Sequence, residues 1–445
     1  MVHFHPLKVV HFEPLRYAHF NPLKVVYYSR FLQVVNEKLF RSFLSECAHK
    51  CGLKKWSSRK KRTNDILFDQ FLFSAPIHSE KTNTNVVKIN LLNGTFNIDG
   101  NKGTNNSYLQ KANKNDFFKY QLPFSYDPAA EAPLFQTFLD NVLPSKDAQH
   151  ILMEYTGYLF TKHLKLEKVL IIYGTGSNGK SVFFEILTAL LGDSNVSNFP
   201  MNKLCDETGY YRVHLQSKIL NYASEFGGKM DIQTFKRLIS GEPVDARLPH
   251  KEPITITDYC KFIFNANKLP EVEHTDAFFR RPLIIPFTKK IKESEKDIHL
   301  SKKIISNELP GVFNWVLRGL DRLILNGGFS HSELIDQELR KYKKESNSIS
   351  LFIEEENYQP SLTTKIKLQE FYMKYKQYCD ETSLRPFSRP NFSRRLREVD
   401  FRIEPGTGNV YVVWVEIISK SIELAQTNFP NAYEILTAND EKHIN

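Results

Sequence analysis

The sequence predicts an α/β protein: a buried parallel sheet, preceded by a helical segment and followed by a small unit of three helices and a β-hairpin. Three observations carry this. Val169 to Tyr173 form a continuous apolar run of the kind a strand buried on both faces requires. A glycine-rich loop follows at once, then a helical pattern with Phe183, Ile186, Leu187, Leu190 and Leu191 on one face. Strand-like apolar runs recur at Lys218 to Ala223, Lys261 to Ala266 and Pro282 to Phe287, with helical patterns and loops between them. From about residue 346 the pattern turns to three helices and two alternating strands, Phe401 to Glu404 and Val410 to Val415.

Composition narrows the setting. The 445 residues allow several domains, and 41% hydrophobic with 25% charged residues is ordinary for a globular chain. Sixty Lys and Arg against 50 Asp and Glu leave a net charge of +10, which suits a polyanionic partner. No apolar run approaches the ~18 residues of a membrane span, and no secretory signal is apparent, so no membrane partner and a cytoplasmic location are expected. Five scattered cysteines fit a reducing compartment, and Cys47 with Cys51 lacks the second pair a zinc site needs.

In chain order, residues 1–85 read as a variable arm. It opens on an octad repeat, His3-Phe4-His5-Pro6-Leu7 echoed at His11 and His19, whose prolines forbid one long helix. A helical pattern from Ser29 to Cys51 follows, then a basic cluster of Lys54, Lys55, Arg59, Lys60, Lys61 and Arg62, read as a nucleic-acid contact, a nuclear address or a solvated linker. Residues 86–166 hold a hairpin about Asn93-Gly94 and two amphipathic helices, through Leu134 to Val142 and Ile151 to Phe160. Residues 167–290 are the sheet core, 291–345 a helical connector, 346–418 the helix and hairpin unit, and 419–445 a tail. Three helices and a hairpin are the order of a winged helix. Its third, basic helix, with Arg394, Arg395 and Arg397, would read the DNA groove.

The loop after the first core strand is Gly174-Thr175-Gly176-Ser177-Asn178-Gly179-Lys180-Ser181, which fits G-x-x-x-x-G-K-[ST] at every fixed position. Its glycines let backbone N–H groups turn toward phosphates, and the following helix N-terminus adds partial positive charge. Lys180 would reach the β- and γ-phosphates of ATP, and the Ser181 hydroxyl would bind Mg²⁺. An incidental glycine turn would lack the strand before it and the helix behind it.

Residues at the ends of the next strands add candidates. Glu225 follows the second strand and is placed to polarise an attacking water or hold the metal's water shell. Asn267 closes the third and is placed to orient that water. Arg280 and Arg281 precede the last strand; in a ring, one of them would act as an arginine finger on a neighbour's ATP.

GTGSNGKS, SE after a strand, FKRLISGEPVDAR, FNANKLP and FRRPLIIPF together resemble helicase superfamily 3, and within it the phage and plasmid primase–helicase group that includes the poxvirus primase-helicase. The resemblance covers about Val86 to Phe287, where LPFSYDP and EYTGYLF are similar to the family's helical collar, and continues more loosely through ELPGVFNW and the winged helix. It implies an AAA+ core assembled as a homo-hexamer, acting on single-stranded and forked DNA in the 3′→5′ direction during replication of a phage, plasmid or integrated element. A separate primase or origin-binding protein is a further partner it allows. It also implies a channel hairpin between Glu225 and Asn267, with Val244 to Leu248 and Ile254 to Asp258 as strands and Pro249 to Glu252 as tip. His250 and Lys251 are then channel contacts, with Lys236 and Arg247 in support.

Two departures stand out. Ser224 occupies the place of a second acidic residue, and the 85 residues before Val86 are too short for a primase domain, so helicase activity without primer synthesis is expected. The competing readings are a phosphate-loop kinase and an ATP-controlled origin-binding or assembly protein that does not unwind.

Overall fold

The computed structural model describes residues 37–74, 86–99, 107–113, 116, 118–162, 164–226, 228, 230–270, 275–292, 294, 296–382, 384 and 386–417, and the backbone of three short strands before them. The first two octad copies and the 419–445 tail lie outside the described residues. No helix among those described is long and apolar enough to cross a membrane.

Strands β1 (Tyr17–His19), β2 (Lys24–Tyr28) and β3 (Phe31–Val34) pair as an antiparallel meander, with Tyr17 opposite Val26 and Val25 opposite Val34. The helix expected from Ser29 therefore begins only at Glu37. Val, Tyr, Phe and Leu crowd this stretch, and their strand preference outweighs a loose helical spacing. Helices α1 (Glu37–Lys50), α2 (Lys55–Ser58) and α3 (Lys61–Ser74) follow. The rings of Phe40 and Phe71 lie 4.6 Å apart where α1 crosses α3, above a buried Phe68.

The expected hairpin is β4 (Val86–Leu91) with β5 (Gly94–Asp99), and β6 (Ser107–Gln110) adds a third antiparallel strand. Leu91 pairs with Gly94, so the turn is Leu92-Asn93, one residue earlier than the Asn-Gly dipeptide implies. Helices α4 (Pro133–Val142) and α5 (Lys146–Tyr158) come next, α5 capped by the Ser145 hydroxyl accepting from Ala148 N.

The core runs β7 (Val169–Tyr173), α6 (Lys180–Leu191), β8 (Val196–Ser197), α7 (Met201–Leu204), β9 (Leu220–Ala223), α8 (Ile232–Ser240), β10 (Val244–Ala246), β11 (Ile254–Ile256), β12 (Lys261–Ala266), α9 (Asp276–Phe279) and β13 (Pro282–Pro286). Five strands form one parallel sheet in the order β13-β7-β12-β9-β8. Leu170, Ile171 and Ile172 of β7 are wholly buried, as both-face burial of an uninterrupted apolar strand requires.

Helices α10 (Leu300–Asn307), α11 (Leu309–Asn326) and α12 (Glu333–Glu345) follow. Within the helical connector expected over 291–345, α10 and α11 are separate helices, because Pro310 lacks the N–H an unbroken helix needs and sits in the first turn of α11 instead. The buried Glu308 carboxylate at that break accepts from Leu134 N at 3.0 Å and Phe135 N at 2.9 Å, capping α4 from 173 and 174 residues downstream. Helix α11 lies along α5 with glycines at the crossing. A Cβ on Gly157 would stand 2.5 Å from Leu320 N, and one on Gly319 2.1 Å from Met153 O. Buried Glu154 of α5 accepts from Arg322 Nε at 3.2 Å and Ser330 N at 2.8 Å.

The chain divides into two compact units, Met1–Leu339 and Arg340–Asn445. The second holds α13 (Ser348–Glu355), β14 (Tyr358–Lys367), α14 (Leu368–Glu381), α15 (Arg389–Glu398), β15 (Ile403–Pro405) and β16 (Tyr411–Ile417), with antiparallel sheet order β14-β16-β15. Its core is Phe352, Phe371, Tyr375, Phe392 and Val413. Strand β14 has no counterpart in the sequence reading. It is an edge strand with Pro360 beside a register shift, the place where a sheet tolerates proline, so its sequence carries little strand signal.

Replacing Gly319 by Val should force α11 off α5 and cost about 1–3 kcal/mol, the ordinary penalty of overpacking. Urea unfolding of the full chain measures it, and an unchanged midpoint would show that the crossing relaxes freely.

Candidate active site

The glycine loop springs from the carboxyl end of β7, the edge of a parallel α/β sheet where ligands bind. Gly174 N donates to Ala266 O at 3.0 Å, tying the loop to the end of β12. Asn178 is buried and its Nδ2 donates to Phe287 O at 2.7 Å, tying the loop to the chain just past β13. Gly174 sits where no side chain fits, since a Cβ would lie 2.0 Å from Asn178 Nδ2. Gly179 takes φ +87° as the residue before α6, and its Cα faces Phe138 and Val142 of α4, where a Cβ would approach both to 2.8 Å.

Lys180 opens α6 and folds back over the loop. Its Nζ donates to Gly174 O and, at 3.0 Å, to Asn178 Oδ1. Burial lowers its pKa, so the ammonium is short of solvation and receptive to an anion. Ser181, Thr175 and Ser177 are exposed around it. A glycine-rich loop at the start of a twelve-residue helix, with a lysine short of solvation beside it, fits a polyphosphate.

The sheet register fixes the next two candidates. Ala266 pairs with Tyr173, so exposed Asn267 stands level with Gly174, one strand spacing of about 4.8 Å away. Ala223 pairs with Phe264, so exposed Glu225 stands level with Ala266 and Tyr173, one residue short of Asn267, and two spacings from β7, roughly 10 Å. Both lie on the loop's side of the sheet.

Arg280 and Arg281 lie at the other end. They precede Pro282, which pairs with Val169, about 16 Å along β7 from Gly174. Arg281 is only 4% exposed. It donates to Ala277 O, to Ser240 Oγ at 2.9 Å and to Glu167 Oε2 at 3.2 Å, while burial and the adjacent Arg280 charge lower its pKa. Arg280 is exposed and reaches the same carboxylate at 2.9 Å. Glu167, which holds both guanidinium groups, was not singled out in the sequence. It is a lone carboxylate just before a strand, and only the fold brings the later arginines to it.

The hairpin forms where the sequence placed it, Val244 opposite Ile256 and Ala246 opposite Ile254. His250, with φ +59°, and Lys251 are exposed at its tip. Arg247 donates to Tyr210 Oη at 3.1 Å with its guanidinium over that ring, and Lys236 lies half-buried on α8. In the second unit Arg394 and Arg397 are exposed on α15. Arg395 is not: it is 4% exposed with its guanidinium 4.2 Å from the Phe387 ring centroid. One helix cannot aim three residues spanning one turn the same way, and Arg395 falls on the face that also buries Phe392 and Leu396.

Residues 28–144 match the family model described as D5 N terminal like, and residues 172–281 match a family of unknown function, DUF5906. A putative helicase of Acanthamoeba polyphaga mimivirus, L207/L206, is 24% identical over 222 residues, which make up 46% of this chain and 22% of that relative. The match thus spans about a fifth of the viral protein's length. The A form apo structure of the NrS-1 C-terminal region superposes with a TM-score of 0.50 at 12% identity, over 91% of this chain and 97% of that one. At that identity the likeness is one of fold.

Asn178→Ala should leave the Phe287 carbonyl without its donor and cost about 1–3 kcal/mol in urea unfolding. Asn178→Asp should fail to restore it, because a carboxylate cannot donate to a carbonyl.

Proposed function

We infer that this chain is a member of the phage and viral primase–helicase family, a helicase-related replication protein, and that ATP hydrolysis on the Gly174 to Ser181 loop drives DNA strand separation. The observation that carries this is the joint placement of Lys180, Asn267 and Glu225 on one edge of the parallel sheet, spaced by one and two strands. A kinase reading leaves the basic hairpin tip and the second unit without a task.

The residues divide the work. Backbone N–H groups of the loop and Lys180 bind and orient the triphosphate. Mg²⁺, held by Ser181 and by Glu225 directly or through water, would neutralise phosphate charge. Glu225 takes the proton of the attacking water, and Asn267 holds that water in line. Arg280 lies too far along the sheet to serve its own chain's nucleotide, so its role as a finger requires a neighbouring copy. We take the assembly to be a homo-hexameric ring around one DNA strand moving 3′→5′, as the family resemblance implies. The hairpin tip, with His250 and Lys251, would then grip phosphates within the channel. Arg340–Asn445 is read as a winged helix, supported by its helix, strand, helix, helix, strand, strand order.

A strand-displacement assay on forked duplexes of both polarities, run with native mass measurement, tests the whole. Lys180→Ala should abolish unwinding. Glu225→Gln should cut hydrolysis about 10²- to 10⁴-fold while nucleotide binding survives. Unwinding retained in Glu225→Gln would overturn its role, and a monomer on DNA in every nucleotide state would overturn the ring. Replacing Arg394 and Arg397 by Ala should lower the duplex-binding salt slope by about 2, whereas Arg395→Ala should destabilise the fold instead.

A further inference from the structure

A surface remote in sequence from the ATP loop carries its own signature. Between Glu46 and Asp65 the chain has no carboxylate, and within that stretch Lys54, Lys55, Arg59, Lys61 and Arg62 are all exposed. Among them Trp56 is 61% exposed, although indole is usually tucked away. Lys60 folds over its ring with Nζ 4.0 Å from the centroid. The ring thus has a cation against one face and stays open to a planar partner.

The mount is rigid. Ser45 Oγ of α1 donates to Ser58 O at 2.6 Å, Asn64 Nδ2 of α3 donates to the same carbonyl at 3.2 Å, and Arg41 pairs with Asp65 at 2.7 Å. The one-turn helix α2 that bears Trp56 is therefore fixed between two longer helices, and holding the indole outward costs little further ordering.

We propose that Trp56 and the cations of α2 and α3 form a stacking platform for single-stranded nucleic acid, outside the ATPase core. An exposed aromatic ring amid lysines and arginines is the combination that holds a base by stacking and its flanking phosphates by charge, without sequence preference. A membrane is the poorer fit. The large apolar side chains exposed here are Trp56 on a helix of four residues, Leu53 in the turn before it and Ile66 on α3; spread over three elements, they make no continuous amphipathic face of the kind an interfacial anchor needs. The site binds in the absence of nucleotide, so it stands or falls apart from the helicase reading.

The test uses the full chain without ATP, at low salt, titrated with dT16, rU16, a 16-base-pair duplex and anionic phosphatidylserine vesicles, reading tryptophan fluorescence and anisotropy. The chain's other tryptophans are Trp315, which is buried, and Trp414, which is half-buried in the second unit, so every titration is run in a Trp414→Phe background. Both single strands should quench the emission. Trp56→Ala should weaken dT16 binding roughly 5- to 150-fold. Trp56→Phe should lose the quench yet bind within a few-fold of wild type. Replacing Lys54, Lys55 and Arg59 by Gln should reduce the salt slope by about 2. Quenching that persists in Trp56→Phe, equal quenching by duplex, or a response to vesicles alone would each overturn the proposal. Because ATP turnover is measured separately, failure here leaves the ATPase assignment untouched, and the converse holds.

Discussion

The molecule depends on how one buried strand ends. β7 is sealed on both faces, so its backbone is satisfied only by its sheet neighbours, β13 and β12. At its last residue the chain must leave the sheet, and it does so under three ties: Gly174 N to Ala266 O, Asn178 to Phe287 O, and Lys180 to the loop itself. These ties fix a loop with three residues at positive φ, Gly176, Ser177 and Gly179, of which only Ser177 departs from its ordinary preference. A site shaped in advance loses less conformational entropy on binding than a loop that must fold around its ligand.

Much of this was legible because the determining residues are close in sequence. The loop, its strand and its helix are contiguous, whereas the hairpin at Val244 to Ile256 is expected from the family resemblance and not from a local pattern. What escaped notice required residues far apart. Glu308 reaches back to α4, Glu167 collects two arginines more than a hundred positions away, and β14 is a strand only because β16 pairs with it. No local pattern encodes such partners. Arg395 illustrates a different limit: a run of basic residues states charge but not direction, and helical geometry turns the middle one inward.

Glu154 and Glu308 are nearly or wholly inaccessible and each accepts from at least two donors, whereas buried Arg281 donates through its two Nη atoms and leaves its Nε without a partner. Such groups contribute little net stability against an apolar replacement, yet leaving one unpartnered is expensive. They therefore fix which helix end meets which strand.

The packing of Gly179 against α4 has a mechanical corollary. With Phe138 and Val142 in contact range of the loop's last glycine, and Glu308 holding the opposite end of the same helix, α4 works as a strut between the phosphate cradle and the helices after the sheet. Any swing of the cradle must drag that strut or buckle it. Ten residues of helix, seated on the cradle at one end and capped by Glu308 at the other, tie the cradle's position to that of the later helices.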